Sequence, residues 1–332
     1  MIDMSTMNGV VLKNMTYNGQ KVKKWKHNGV QIFSAGSIVT YIVDTTTSFR
    51  EEVDSGASCL SPTTYTPTKT GWTFVGWRED TTASGSVLTS KVMGDEPITL
   101  YAVYSQTITL STVSNGSTAK TYGTRYYNAA GNIKNPTFTV ASPTRSGWTF
   151  KGWSTSESST AIAAASINKL ELSYSTTRYA VWNCADVSGT TTFEHPNTLS
   201  SITGTQTLDT ILSGIDVGKY CAVKLNIAHE NYLQIQNTWR GNQLNVYISD
   251  GTNKTLIGYS YVDWTGESGV AYPNLGKVLT PTLAFANSSG TSNVYLVGEC
   301  HAYGNPSQES STDYQLYVYL TSYTLLGRTV VY

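Results

Sequence analysis

Three short stretches hold the side chains that could recognise a neutral polar ligand: His229-Glu230-Asn231-Tyr232, Trp239-Arg240-Gly241-Asn242, and Asp263-Trp264 with Glu267. A sugar ring presents a C–H face that stacks on Trp or Tyr, and hydroxyls that planar polar side chains bind. A lectin site therefore needs an aromatic beside Asp, Asn, Arg or His. On that chemistry the candidate ligand-binding residues are Trp239, Arg240, Asp263, Trp264, Tyr232 and His229. The competing reading makes Trp239 and Trp264 core residues with solvated neighbours, and the sequence leaves both readings open.

Patterns for bond-breaking chemistry fail on context. Ser117 to Lys120 has Ser-x-x-Lys spacing and Lys69-Thr70-Gly71 copies a penicillin-binding element, but the order is reversed and Lys69 sits in a repeat. His229-Glu230 lacks the second His of a zinc-protease helix, and no phosphate-binding Gly-rich loop occurs. Glycoside hydrolysis needs only two carboxylates at the right separation. Glu230, Asp250, Asp263 and Glu267 keep a polysaccharide depolymerase open as an alternative, while the expectation is a protein that is not an enzyme. No cofactor and no metal are expected.

These residues lie in a chain of 332 with 13% charged side chains, 22 basic and 22 acidic, and many Tyr, Ser and Thr. A zero net charge offers no field to hold nucleic acid or an anionic membrane, so neither is an expected partner. The charge is unevenly spread. Residues 1–36 hold five Lys against one Asp, and residues 185–332 hold six Lys or Arg against eleven Asp or Glu. Cys59, Cys184, Cys221 and Cys300 lie too far apart in sequence for a metal or redox motif and are expected as isolated buried thiols. The first nine residues lack the basic start and apolar stretch of a signal peptide, and no run reaches membrane-spanning length. The expectation is a protein made in a cytoplasm and not exported by that route.

Asn8-Gly9, Asn18-Gly19 and Asn28-Gly29 recur every ten residues between short β-prone stretches. Asn-Gly suits the two positive-φ positions of a type I′ turn, so residues 1–37 read as a β-hairpin meander. A meander of that size cannot bury enough surface alone. It docks on a partner or on its own copies in an oligomer, or it caps the next domain.

A longer repeat follows. Pro67-Thr68-Lys69-Thr70-Gly71-Trp72-Thr73-Phe74-Val75-Gly76-Trp77 returns 76 residues later as Pro143-Thr144-Arg145-Ser146-Gly147-Trp148-Thr149-Phe150-Lys151-Gly152-Trp153, with eight of eleven positions identical. Tyr101-Ala102-Val103-Tyr104 is matched by Tyr179-Ala180-Val181-Trp182 at an offset of 78. Two tandem domains are expected, 38–105 and 106–184. Trp72 and Phe74 share a strand face by the period of two, and Gly76 permits a bulge before Trp77. Trp72, Phe74, Trp77, Trp148, Phe150 and Trp153 are expected to form the repeat cores. Ala161 to Ala165 has the composition of a short helix, with Ser84 to Lys91 in its place in the first copy, so each repeat reads as a small α+β domain.

The Pro-x-[Lys/Arg]-x-Gly-Trp-Thr-Phe-x-Gly-Trp run, closed by an aromatic-Ala-Val-aromatic strand, resembles the internalin B-repeat family of bacterial surface proteins. The resemblance covers 38–184 and implies a compact β-grasp-like module used as a stalk or spacer. The segment from Val11-Leu12-Lys13 through Tyr17-Asn18-Gly19 to Val30-Gln31-Ile32-Phe33 is similar to the opening of tail and baseplate proteins of bacteriophages and prophages of Gram-positive hosts. That likeness implies assembly in a host cytoplasm and a place in the virion.

Residues 185–332 alternate β-prone runs with turn residues. Strands are expected at Cys221 to Ile227, Leu244 to Ile248, Leu256 to Tyr261, Thr282 to Phe285, Asn293 to Gly298, Tyr314 to Leu320 and Thr329 to Tyr332, with a turn at Asp250-Gly251 and a brief helix near Leu208 to Leu212. A β-sandwich or jelly roll is the expected architecture of this head, within a mainly β, multidomain chain. Period two puts Tyr314, Leu316, Val318 and Leu320 on one face of their strand and Gln315, Tyr317 and Tyr319 on the other, which suits a ligand surface or a subunit interface.

Together these readings point to a bacteriophage tail or baseplate protein. Residues 1–37 would anchor it to other virion proteins, the repeats would project it, and the head would adhere to host cell-surface polysaccharide as a homo-oligomer, a trimer by preference. A purely structural tail or head-decoration protein and a bacterial surface adhesin are the alternatives.

Overall fold

The structure is a computed structural model that describes residues 16–21, 24–27, 30–34, 37–227, 232–236, 242–261, 279–302 and 305–332. Among them every regular element is a strand and no sheet closes into a barrel, so the mainly β expectation stands. Contacts divide the chain into two units, Met1–Ala141 with Ser166–Arg178, and Ser142–Ala165 with Tyr179–Tyr332.

At the N-terminal end the Asn-Gly reading is met where it is visible. Thr16–Tyr17 pairs with Gln20–Lys21 across Asn18 and Gly19, whose φ values of 49° and 72° are those of a type I′ turn. Lys24–His27 pairs with Val30–Ser34, His27 opposite Val30. Asn8-Gly9 and Asn28-Gly29 lie outside the described residues.

The first unit is built on the long strand Ile98–Ser114. Ser37–Ile42 runs parallel to its start, Thr73–Arg78 pairs antiparallel with Tyr101 to Ser105, and Ser117–Asn128 folds back on it through Asn115-Gly116. Its core holds Val39, Tyr41, Cys59, Trp77, Met93, Leu100, Tyr104, Tyr127 and Ala129. Tyr127 and Ala129 come from the second sequence copy yet complete the core of the first.

The second unit contains Thr149–Ser154 paired with Tyr179 to Asn183, and a β-sandwich. A six-stranded sheet gathers Val187–Thr190, Glu194–Thr203, Tyr220–Ile227, Tyr232–Gln236 and Thr282–Ala284 around Ser311–Gly327. A five-stranded sheet holds Thr205–Asp216, Asn242–Ser249, Lys254–Tyr261, Thr291–Ala302 and Asn305–Glu309. Val223, Leu225, Leu316, Val318 and Leu320 of the first meet Leu244, Val246, Ile248, Val294 and Leu296 of the second in one core. The alternation read along Tyr314 to Leu320 is observed: Tyr314, Leu316, Val318 and Leu320 are buried, and Gln315, Tyr317 and Tyr319 are half-buried.

Both expected helices are absent. Ala163 and Ala164 donate their amides to the Trp153 carbonyl at 2.8 and 3.1 Å, and Ala164 O accepts from Trp153 N at 2.7 Å. Pairing with the bulged strand satisfies this backbone, and the helix propensity of alanine is overridden. The first copy does the same with Leu88 N on Trp77 O at 2.9 Å, so the repeats are all-β instead of α+β. Leu208 to Leu212 lies in the strand Thr205–Asp216, whose register slips near Asp209 and Leu212. The slips give the irregular spacing that reads as helix in sequence.

Cys59, Cys184 and Cys300 are buried, Cys221 is half-buried, and none is in a disulfide. Burial pushes the Cys300 thiol up to about 11. A thiol reagent that needs the thiolate is therefore expected to label at most Cys221 in the native protein and all four after denaturation, as counted by mass spectrometry.

Candidate functional site

The half-buried face of Ser311–Gly327 lies between two strands. Glu194–Thr203 sets Glu194 opposite Tyr319, Leu199 opposite Gln315 and Ser201 opposite Asp313. Tyr232–Gln236 sets Tyr232 opposite Tyr317, Gln234 opposite Gln315 and Gln236 opposite Asp313. Ser311–Gly327 thus carries Asp313, Gln315, Tyr317 and Tyr319 in a row, with Tyr232, Gln234 and Gln236 at register positions on one neighbour and Glu194, Leu199 and Ser201 on the other. Ser201 donates its hydroxyl to Asp313, which orients that carboxylate at one end of the row. Aromatic faces flanked by amides and a carboxylate are the groups that a neutral sugar requires.

Of the candidates read from sequence, the structure places only Tyr232, by its backbone, in this row. His229, Trp239, Arg240, Asp263 and Trp264 lie outside the described residues, as do Glu230 and Glu267. Gln315, Tyr317 and Tyr319 enter the site through the alternation of their strand.

Asp250, an open candidate for acid–base work, has a structural task. Its Oδ1 accepts the amides of Thr252 and Asn253 at 2.9 and 2.6 Å, and its Oδ2 accepts that of Ala286 at 2.6 Å. Glu299 is bonded by Lys254 and by His301 Nε2, the latter at 2.7 Å. Burial raises the Glu299 carboxyl, and the bond and charge of Lys254, then His301, outweigh it, leaving Glu299 below the usual carboxylate range. A charge held in this way is a sheet-face ion pair. Among the described residues no cluster of three or more His, Cys, Asp or Glu could hold a metal, and no helix is long and apolar enough to cross a membrane.

The repeats show what their shared motif is for. In Lys69-Thr70-Gly71-Trp72 and Arg145-Ser146-Gly147-Trp148 the Trp amide returns to the Lys or Arg carbonyl at 3.0 and 3.1 Å, with φ of 76° and 77° at the glycines. Positive φ there is what a type II turn demands of its third residue. The register then slips between Phe74 and Gly76, and between Phe150 and Gly152. Each bulge rotates the strand so that Phe and Trp three residues apart meet edge to face, at 5.3 Å in both copies. Trp77 and Trp153 are 2% and 1% exposed, and Trp72, Phe74, Trp148 and Phe150 are half-buried. Trp72 and Phe74 pack on the first core, Phe150 meets Trp153 and Trp182, and Arg145 lies over the Trp148 ring at 4.5 Å. A cavity in the first copy is lined by Arg78, Glu79, Asp80 and Ser86 to Leu88, and Ser154, Thr155 and Ser156 stand at the positions that match its three charged residues.

The Listeria-Bacteroides repeat domain model matches residues 38–103 and 107–181. The chain carries two Listeria-Bacteroides repeat domains. This is a repeat module, in keeping with the 76-residue offset, and the match says nothing of tails or baseplates. No curated protein and no solved structure matched the chain.

Proposed function

We propose that this chain is a non-catalytic adhesion protein of a bacteriophage tail or baseplate. Its β-sandwich binds host cell-surface glycan through the face carrying Gln315, Tyr317 and Tyr319. The observation that carries the reading is the Tyr, Gln and Asp row across Ser311–Gly327 and its neighbours. Two repeat domains ahead of such a face suit a spacer, and a low-charge surface suits neutral sugars. Residues 1–37, with their excess of lysine, are the segment that docks on other virion proteins. Several copies in one particle, three in the simplest arrangement, would raise weak contacts to durable attachment through effective concentration.

The full chain, displayed multivalently on a glycan array, is expected to retain a host wall polysaccharide or its fragments. Tyr317→Ala with Tyr319→Ala is expected to lower that binding at least about tenfold, because aromatics dominate such contacts. Retention of no glycan by the unaltered chain would overturn glycan adhesion and leave a structural virion role. Detection of the chain on uninfected cells and its absence from purified particles would overturn the virion assignment.

A further inference from the structure

The two repeats present the same sheet edge, and different parts of the chain fill it. In the first, Val103, Tyr104 and Ser105 pair with Asn128, Tyr127 and Tyr126, and Ala129 N donates to Ala102 O at 2.8 Å. Shifting by 78 residues, Val181, Trp182 and Asn183 pair with Val331, Val330 and Thr329, and Tyr332 N donates to Ala180 O at 2.5 Å. One step further, Gln106 pairs with Arg125 in the first, and Cys184 N donates to Arg328 O at 3.0 Å in the second. Five consecutive positions therefore correspond: Arg125-Tyr126-Tyr127-Asn128-Ala129 and Arg328-Thr329-Val330-Val331-Tyr332. The opposite edge corresponds too, with Phe74 against Tyr104 and Phe150 against Trp182.

In the first repeat the filling strand, Ser117–Asn128, comes from the next repeat. In the second the next segment is the sandwich, and the filling strand arrives only after it. We propose that the edge beside Val181–Asn183 is a strand-acceptor site, and that residues 328–332 are its donor, in place of the strand a third repeat would supply. An unfilled sheet edge leaves a row of amides and carbonyls open to pairing with other chains. Filling it from beyond the sandwich closes the tandem array and ties the sandwich to the second repeat by both its ends. The junction is fitted closely: a Cβ on Gly327 would lie 1.8 Å from Cys184 O. Thr329 Oγ1 donates to Asn183 Oδ1 at 2.8 Å, and Arg145 of the repeat motif donates to Tyr332 O at 3.1 Å.

The alternation of the antiparallel ladder makes Trp182 and Val330 a pair that exchanges two hydrogen bonds, since the positions two residues away on either side are bonded. Hydrogen exchange at the Trp182 amide of the full chain reads the occupancy of the site, and the Tyr104 amide is the internal control. In Val330→Pro, Trp182 is expected to lose protection at least about tenfold while Tyr104 and the sandwich amide of Leu225 keep theirs. A peptide with the sequence of residues 327–332, in excess, is expected to restore it. A chain whose residues 328–332 are exchanged for the 125–129 sequence is expected to protect Trp182 to within about threefold of the original, because both segments fit one geometry. Unchanged protection in Val330→Pro would overturn the donor assignment. Loss of protection in the exchanged chain, with Leu225 still protected, would overturn the equivalence of the two edges.

Discussion

Trp153→Ala is expected to destabilise the second unit by about 3–5 kcal/mol, the range for emptying an aromatic site in a packed core. Its indole is 1% exposed and meets Phe150 edge to face at 5.3 Å, and Phe150 in turn meets Trp182 at 5.5 Å. Removing it takes away one member of a three-ring set whose other two rings hold each other only partly. Trp153 Nε1 has no hydrogen-bond partner among the described residues, so the indole contributes by its volume and its ring contacts. Trp153→Phe should therefore recover more than half of the loss. Urea unfolding of the full chain, followed by far-ultraviolet circular dichroism, measures both values. Trp77→Ala is the matching test in the first unit, where Trp77 packs on Tyr41 at 4.9 Å and Phe74 at 5.3 Å. A loss below about 1 kcal/mol at either position would mean that the repeat cores are not built on these rings.

The second large effect is expected at Gly152. Its φ of 144° is disfavoured for a residue with a side chain, and a Cβ there would stand 2.7 Å from the Ala164 carbonyl oxygen. That oxygen is backbone and already accepts the Trp153 amide at 2.7 Å, so it cannot retreat without losing the bond. Backbone strain of about 1–3 kcal/mol and a weakened hydrogen bond of about 1 kcal/mol give Gly152→Ala an expected cost near 3 kcal/mol. Gly76 is the equivalent position, with φ of 154°, but its Cβ would meet the Val87 side chain at 2.8 Å. The Cβ at Gly76 would press on Val87 and not on a hydrogen-bonded carbonyl, so Gly76→Ala should cost about 1 kcal/mol less, the worth of the bond that is spared. Equal losses at the two glycines would show that strain at the bulge, and not the neighbour, sets the penalty.

How much of this was legible beforehand depended on whether the signal was local. Asn18-Gly19 declared its hairpin because the turn needs two positive-φ residues and that dipeptide supplies them. Asn115-Gly116, with φ of 51° and 73°, closes an equally tight hairpin between Ser114 and Ser117 and carried the same signal. It stands outside the ten-residue series of the N-terminal segment. The aromatic motif was legible for a similar reason, since a glycine two residues after Phe74 can only serve a bulge or a close approach. The alanine run at 161–165 misled because propensity describes an isolated segment, and here the Trp153 backbone supplies the hydrogen bonds. On the candidate face, Gln315, Tyr317 and Tyr319 follow from period two, as does Asp313 on the same strand, while Gln234 and Ser201 needed the register of strands distant in the chain.

The amino-acid sequence by itself determined that this protein is mainly β, that it repeats at an interval of 76 residues, and that the repeats are built on Trp and Phe. Those features are written in turn chemistry and alternation, which act within a few residues. Only the tertiary structure decided that Tyr127 of one copy closes the core of the other, and that Thr329–Val331, from beyond the sandwich in the chain, fills the matching edge. Arg125 to Ala129 and Arg328 to Tyr332 share little beyond their first residue. A sheet edge is satisfied by backbone amides and carbonyls, which every non-proline residue supplies, so the choice of strand leaves almost no mark in the side chains that a sequence records.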